Sequence, residues 1–226
     1  MEKTPSDPKW TAVEEYIAGQ LIPPDPALES ARDANAAAGM PAIDVTAAEG
    51  KFLHLLARMA GARRILEIGT LGGYSTIWLA RALPEDGRLI TLELEPKHAE
   101  IAQANLERAE VAGRVEIRIG PALESLEKLG KNGTQPFDLI FIDADKSNNA
   151  NYLKWALRLS RPGSIIIVDN VVRDGRIVNA GDDDRDIQGS RRLFEAIAAE
   201  PRLIATALQT VGSKGYDGFA IAQVAR

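Results

Sequence analysis

The chain has no cysteine and only two histidines, His54 and His98. The first absence frees the fold from any particular redox compartment, and the two together leave zinc or copper almost nothing to bind. His54 falls on the apolar face of a helical stretch and His98 opens another, neither with a metal-spaced partner, so both read as structural. No apolar run approaches the ~18–20 residues that a membrane-spanning helix needs, and no membrane partner is expected. The opening Met1-Glu-Lys-Thr-Pro-Ser-Asp-Pro8 lacks the basic-then-apolar layout of a secretory signal, so the expected location is the cytoplasm. Basic residues are nowhere massed: 27 lysines and arginines are scattered among 32 acids, for a net charge of −5. Binding to a phosphate backbone needs a concentrated basic surface, which argues against nucleic acid as a partner. No serine sits in a nucleophile-elbow context, so acyl transfer has no support. There is no internal repeat. The densest charge run, Asp182-Asp-Asp-Arg-Asp186, reads as a solvated loop or helix approach, since consecutive acids cannot all point at one ion.

What is present is organised around Phe137-Asp-Leu-Ile-Phe-Ile-Asp143-Ala-Asp145-Lys146, an apolar β-type run that delivers carboxylates and an ammonium to its own C-terminal end. Open α/β sheets do their chemistry at that end. A second run, Ser164-Ile-Ile-Ile-Val-Asp169-Asn170, ends the same way. Two such buried strands side by side bring Asp143, Asp169 and Asn170 to one pocket. Oxygen-only ligation suits a hard divalent cation, magnesium first, with calcium or manganese as alternatives.

The 226 residues, 45% hydrophobic and 26% charged, fit one large α/β domain: a helical cap over 1–62 and an α/β core over 63–226. In the cap, Trp10 to Gln20 and Pro26 to Ala38 are short amphipathic stretches parted by Ile22-Pro-Pro-Asp-Pro26, which no helix crosses. Thr46-Ala-Ala-Glu49 is a capping-box pattern before an apolar helical repeat. From Ala62 onward strands and helices alternate: strands Arg64–Gly69, Gly87–Glu93, Arg114–Ile119 and the two ending in Asp143 and Asp169, with helices Tyr74–Leu83, Lys97–Val111, Ala122–Leu129 and Tyr152–Leu159 between. That alternation predicts a doubly wound, mostly parallel, Rossmann-like sheet. After a helix near Gly189–Ala199, Arg202–Thr210 and Gly218–Val224 are strands joined by Val211–Asp217, too short for a crossover helix. They predict an antiparallel hairpin, for seven strands in all.

Glu67-Ile-Gly69-Thr-Leu-Gly72-Gly73-Tyr-Ser75 joins the first strand to its helix, where glycine allows close approach of backbone and ligand. It is not G-x-G-x-x-G. Glu93 ends the second strand twenty residues after Gly73, placed to accept both hydroxyls of a ribose. The spacing fits a nicotinamide dinucleotide or S-adenosylmethionine. Glu67 would repel a pyrophosphate and suits a cationic ligand, which favours the methyl donor. A dehydrogenase of the same sheet class and a non-catalytic binding module are the competing readings.

With these residues in order, the chain resembles the cation-dependent O-methyltransferases, the family of caffeoyl-CoA O-methyltransferase and, more distantly, catechol O-methyltransferase. The resemblance spans roughly 40–226 and rests on Leu66-Glu-Ile-Gly-Thr-Leu-Gly-Gly-Tyr-Ser75, Phe141-Ile-Asp-Ala-Asp-Lys146 and Val168-Asp-Asn170. It implies a class I methyltransferase fold in which positions matching Val45, Glu67, Gly69, Thr70 and Ser75 line the methionine part of S-adenosylmethionine. By the same resemblance Glu93 holds the ribose, Ala122 lies against the adenine and Asp145 also contacts the donor. Asp143, Asp169 and Asn170 would ligate the metal, with Lys146 as base. One departure stands out: relatives often have tyrosine where this chain has Asn149. The implied acceptor is a small phenolic molecule with vicinal hydroxyls, catechol-like or hydroxycinnamoyl. A homodimer is also expected, because Val13, Ile17 and Leu21 form an apolar stripe with no local cover.

Overall fold

The computed structural model describes residues 6–225, so the first five residues of the expected helical cap lie outside the described residues. The strands are β1 (Arg64–Ile68), β2 (Arg88–Glu93), β3 (Val115–Ile119), β4 (Phe137–Ile142), β5 (Ser160–Asp169), β6 (Leu203–Gly212) and β7 (Gly215–Val224). They form one sheet in the order β3-β2-β1-β4-β5-β7-β6. The first five are parallel, and β7 runs antiparallel to both β5 and β6. This is the doubly wound sheet with a terminal antiparallel hairpin that the alternation predicted.

Helices α1 (Pro8–Leu21), α2 (Pro26–Ala37) and α3 (Ala47–Met59) precede the sheet. Within it come α4 (Tyr74–Ala82), α5 (Pro96–Arg108), α6 (Ala122–Lys131), α7 (Asn149–Arg158) and α8 (Arg185–Ala199). The central strands read as unbroken apolar runs because both sheet faces are covered. Ile65, Leu139, Phe141 and Ile167 pack on one face with α2 to α5, whereas Leu66, Ile68, Ile140, Ile142, Ile166 and Val168 pack on the other with α6 to α8. Among the described residues, no helix is long and apolar enough to cross a membrane.

Several boundaries differ from the expected ones for identifiable reasons. The Thr46 capping box forms, with the Glu49 N–H donating to Thr46 Oγ1 at 3.2 Å and the Thr46 N–H to Glu49 Oε2 at 2.7 Å. Helix α8 begins at Arg185 rather than Gly189, because Asp184 caps it by accepting from the Asp186 N–H at 2.9 Å. The hairpin loop shrinks to Ser213-Lys214, since cross-strand pairing continues through Thr210–Asp217 to Gly212–Gly215. The chain therefore brings Lys214 to a tight turn. The run of acids at 182–186 acts locally: Arg176 donates to Asp182 at 2.7 and 2.8 Å, and Asp184 caps α8.

Sheet order puts the topological switch between β1 and β4, whose following helices cover opposite faces. A crevice opens there at the carboxyl ends of the strands.

Candidate active site

A cavity of about 1360 Å³ occupies that crevice. Its walls come from the turns after β1, β2, β4 and β5, the start of α6, the α2–α3 connection, one side of α1 and the β6–β7 hairpin.

The turn after β1 is built by steric necessity. Gly69 has φ +100°, a region that L side chains rarely adopt, and an added Cβ would lie 2.1 Å from the Asp143 carbonyl oxygen. The Asp143 N–H in turn donates to the Ile68 carbonyl at 2.8 Å. The turn after β1 and the end of β4 are thus in contact. Gly69, Thr70 and Ser75 line the cavity, as do Val45 and Ala122.

Glu93 Oε2 accepts the N–H groups of Thr70 (3.2 Å) and Leu71 (2.8 Å), while Oε1 accepts that of Glu95 at 2.9 Å. His98, which sequence reasoning left as structural, places Nδ1 3.4 Å from Glu93 Oε1 and also lines the cavity. The carboxylate at the end of β2 therefore holds the turn after β1 as well as facing the cavity. Replacing Glu93 would disturb both roles at once.

Glu67 lies elsewhere than the cavity wall. It is fully buried, and accepts from Ser75 Oγ at 2.6 Å, Thr76 Oγ1 at 2.5 Å and Thr91 Oγ1 at 2.7 Å. Ser75, not Glu67, meets the cavity. Burial is the largest influence on this carboxyl and pushes its pKa up to about 7, against the opposing pull of the three hydroxyls; the charge of Asp143 adds to the rise.

Next to the turn after β1, Asp143, Asp169 and Asn170 all reach the cavity from the ends of β4 and β5. Lys146, buried at 6% exposure, donates to Asp143 Oδ1 at 2.6 Å. Asp169 Oδ1 accepts the Asn170 N–H at 2.8 Å, and Asn170 itself has φ +55°. Burial first, and then the facing charge of Asp143, holds the Asp169 carboxyl above the usual carboxylate range, with Lys146 opposing. Among the described residues, no protein donor takes Asp143 Oδ2, Asp169 Oδ2 or the Asn170 amide oxygen. Asp145 is occupied by its own neighbours. Its oxygens accept from the Tyr152 hydroxyl, from Ser147 Oγ at 3.0 Å and from Asn148 Nδ2 at 2.7 Å, and the residue still borders the cavity.

Two supporting residues were missed or misplaced in the sequence. Gly189 lies inside α8, and a Cβ there would sit 2.1 Å from the Lys146 carbonyl oxygen, so the helix presses directly on the turn that carries Lys146. A lone glycine within a helical pattern was the available signal. Asn149 is fully buried at the start of α7, with no partner for its amide among the described residues, and does not line the cavity. This position is thus behind the wall and not on it.

Comparison with known proteins gives consistent results. A family model described as O-methyltransferase matches residues 23–222. The chain is 53% identical over 224 residues to a catechol O-methyltransferase of Mycobacterium tuberculosis, covering 99% of each. It is 36% identical over 165 residues to caffeoyl-CoA O-methyltransferase 1 of Eucalyptus globulus, covering 70% of this chain and 67% of that one. Of these two, the catechol enzyme is the nearer, the reverse of the order the sequence motifs implied. Among solved structures, the O-methyltransferase from Bacillus cereus in complex with SAH superposes with a TM-score of 0.94 at 59% identity, covering 96% of this chain and 98% of that one.

The titration of Glu67 gives a test. Its folded-state pKa of about 7 exceeds the ordinary 4.5, so its stabilising contribution is complete below pH 4.5 and is lost as pH rises to 7. Glu67→Gln cannot titrate. Its stability relative to the parent should climb by about 1.4 kcal/mol per pH unit across that window and level off above it. Urea denaturation of both proteins at pH 5 and pH 8 reads the difference; parallel profiles would show an ordinary carboxyl.

Proposed function

The chain belongs to the O-methyltransferase family and is an S-adenosylmethionine-dependent O-methyltransferase, and from that premise we propose that it methylates one hydroxyl of a vicinal diphenol with the help of a divalent cation. Magnesium is the first candidate for that cation, with calcium or manganese as substitutes. The competing dehydrogenase and binding-module readings fall with the family assignment.

The observation that supports the cation most directly is geometric. Two carboxylates and an amide oxygen converge from neighbouring strands on one end of the cavity, and Lys146 neutralises only part of their charge. Asp143, Asp169 and Asn170 would hold the cation through oxygen alone, a donor set that suits a hard divalent ion. Bound there, it would supply Lewis acidity that lowers the pKa of a chelated phenolic hydroxyl toward neutrality.

The chain's own residues do the rest. Gly69, Thr70, Ser75 and Val45 form the wall for the methionine part of the donor, Glu93 the ribose partner, and Ala122 the surface for the adenine. Lys146, buried beside Asp143, takes the proton of the acceptor hydroxyl in its neutral amine form, having first given up its own, as the methyl passes from the donor sulfonium to the oxygen and leaves a neutral thioether. Fixing both reactants in one enclosed cavity contributes roughly 7–11 kcal/mol of barrier lowering by itself. The acceptor side is bounded by Trp10, Val13 and Ile17 of α1, Phe52 of α3 and Phe219 of β7, an apolar wall suited to an aromatic ring. We place the protein in the cytoplasm.

We also propose self-association. Tyr16 and Leu21 are 70% and 68% exposed on α1, and the edge strand β6 exposes Ile204, Leu208 and Val211. Such a patch on an unpaired edge fits a second copy of the chain. Sedimentation at micromolar concentration should give twice the 24.4 kDa chain mass; a mass of one chain would refute it.

Activity toward a catechol should vanish in excess chelator and return with added magnesium; turnover unaffected by thorough chelation would sink the cation. Lys146→Ala should lower kcat by ~10² to 10⁴ while leaving the donor Kd near the parent value. That deficit should narrow at high pH, where the acceptor hydroxyl ionises unaided. Parent-like turnover at every pH would leave Lys146 as no more than the ion partner of Asp143.

A further inference from the structure

The donor side of the cavity is tied to the helical cap by three side chains that the mechanism above does not use. Asn35 lies on α2, a helix outside the α/β core, yet it is 3% exposed. Its Nδ2 donates to Asp44 Oδ1 at 2.9 Å, and its Oδ1 accepts from Asn105 Nδ2 at 3.1 Å. Asn105, on α5 and fully buried, donates also to the Gly72 carbonyl at 2.7 Å. A carboxylate only accepts, so Asp44 fixes which end of the Asn35 amide faces it and hence which end faces Asn105. The amide is seated with no freedom to flip.

Gly72 shows how tight the seat is. A Cβ added there would lie 1.9 Å from Asn35 Oδ1 and 2.3 Å from both Cγ and Nδ2, and its three nearest neighbours are all Asn35 atoms. Unlike Gly69 and Gly73, Gly72 has no left-handed backbone, so what this position demands is space and not conformation. Gly72 belongs to the turn whose Thr70 and Leu71 line the cavity, and Asp44 lines it beside Val45.

We propose that Asn35 is a positioning residue for the methyl donor: packed against Gly72 and bonded to Asn105 and Asp44, it holds the turn after β1 and the α2–α3 connection in register on either side of the donor. A polar side chain buried in the last turn of a short helix is costly to desolvate, and a hydrogen bond at each end of its amide is what keeps it tolerable. The core then depends on the cap for its donor site. The inference rests on the donor occupying this half of the cavity.

The probe is S-adenosylhomocysteine, measured by calorimetry on the full chain. Asn35→Ala should raise its Kd about tenfold, the scale of a single lost hydrogen bond. The acceptor KM and kcat at saturating donor should stay near parent values. Gly72→Ala should weaken binding to a similar degree by displacing Asn35. The two losses share one contact, so the double variant should bind no worse than Asn35→Ala alone. Parent-like Kd in Asn35→Ala, or losses that multiply in the double variant, would overturn the proposal. A uniform fall in kcat with an unchanged Kd would overturn it too. A parent protein that bound no S-adenosylhomocysteine would instead refute the donor assignment.

Discussion

The contact on which the rest of the site depends is the one between Gly69 and the main chain at Asp143. A Cβ on residue 69 would meet the Asp143 carbonyl at 2.1 Å, and the Asp143 N–H closes back on Ile68 at 2.8 Å. Through this approach the turn after β1, which lines the cavity, and the strand end that carries the acidic cluster are one rigid unit. The reacting groups of a methyl transfer must lie within a few tenths of an ångström of their working positions. Here that precision comes from backbone meeting backbone at the switch point of the sheet, and side chains only elaborate it.

The site divides its acids into two kinds. Glu67 is fully buried, satisfied by three hydroxyls, and stays behind the wall. Its work is to seat Ser75 and Thr76 at the start of α4 against β1 and β2. Asp143 and Asp169 are the opposite case: each has one oxygen that accepts a protein donor and, among the described residues, one that does not. A buried carboxyl that is hydrogen-bonded is a structural part, whereas two that face each other without full countercharge call for a ligand. The contrast comes from environment, since all three are carboxylates at or near strand ends.

The helices ahead of the sheet are as much part of the cavity as the strands. Val13 and Ile17, part of the stripe that the sequence leaves uncovered, remain exposed and also border the cavity. Helix α1 is tethered to the hairpin by Glu14, whose Oε2 accepts the Ser213 N–H at 2.6 Å. The cap and the last two strands thereby share one wall of the cavity. That wall is drawn from both ends of the chain, the first helix and the closing hairpin.

What the sequence determined by itself is what local chemistry controls. Period and punctuation gave the alternation of strands and helices, the capping box at Thr46, the hairpin at the end and the three strand-end motifs that converge on the cavity. Each is legible because backbone conformation and burial act on neighbours a few residues apart. What only tertiary structure decided are the contacts between residues far apart in the chain. That Lys146 pairs with Asp143 and not Asp145, that Glu93 grips the turn above it beside His98, and that Glu67 sits behind Ser75 all depend on how strands were laid side by side. The same holds for Gly189 against Lys146 and Asn35 against Gly72, where a missing Cβ in one element makes room for another element. A sequence shows which residues can bear charge, bend or vanish into a core; which partner each one meets is fixed only when the sheet closes and excludes the alternatives by volume.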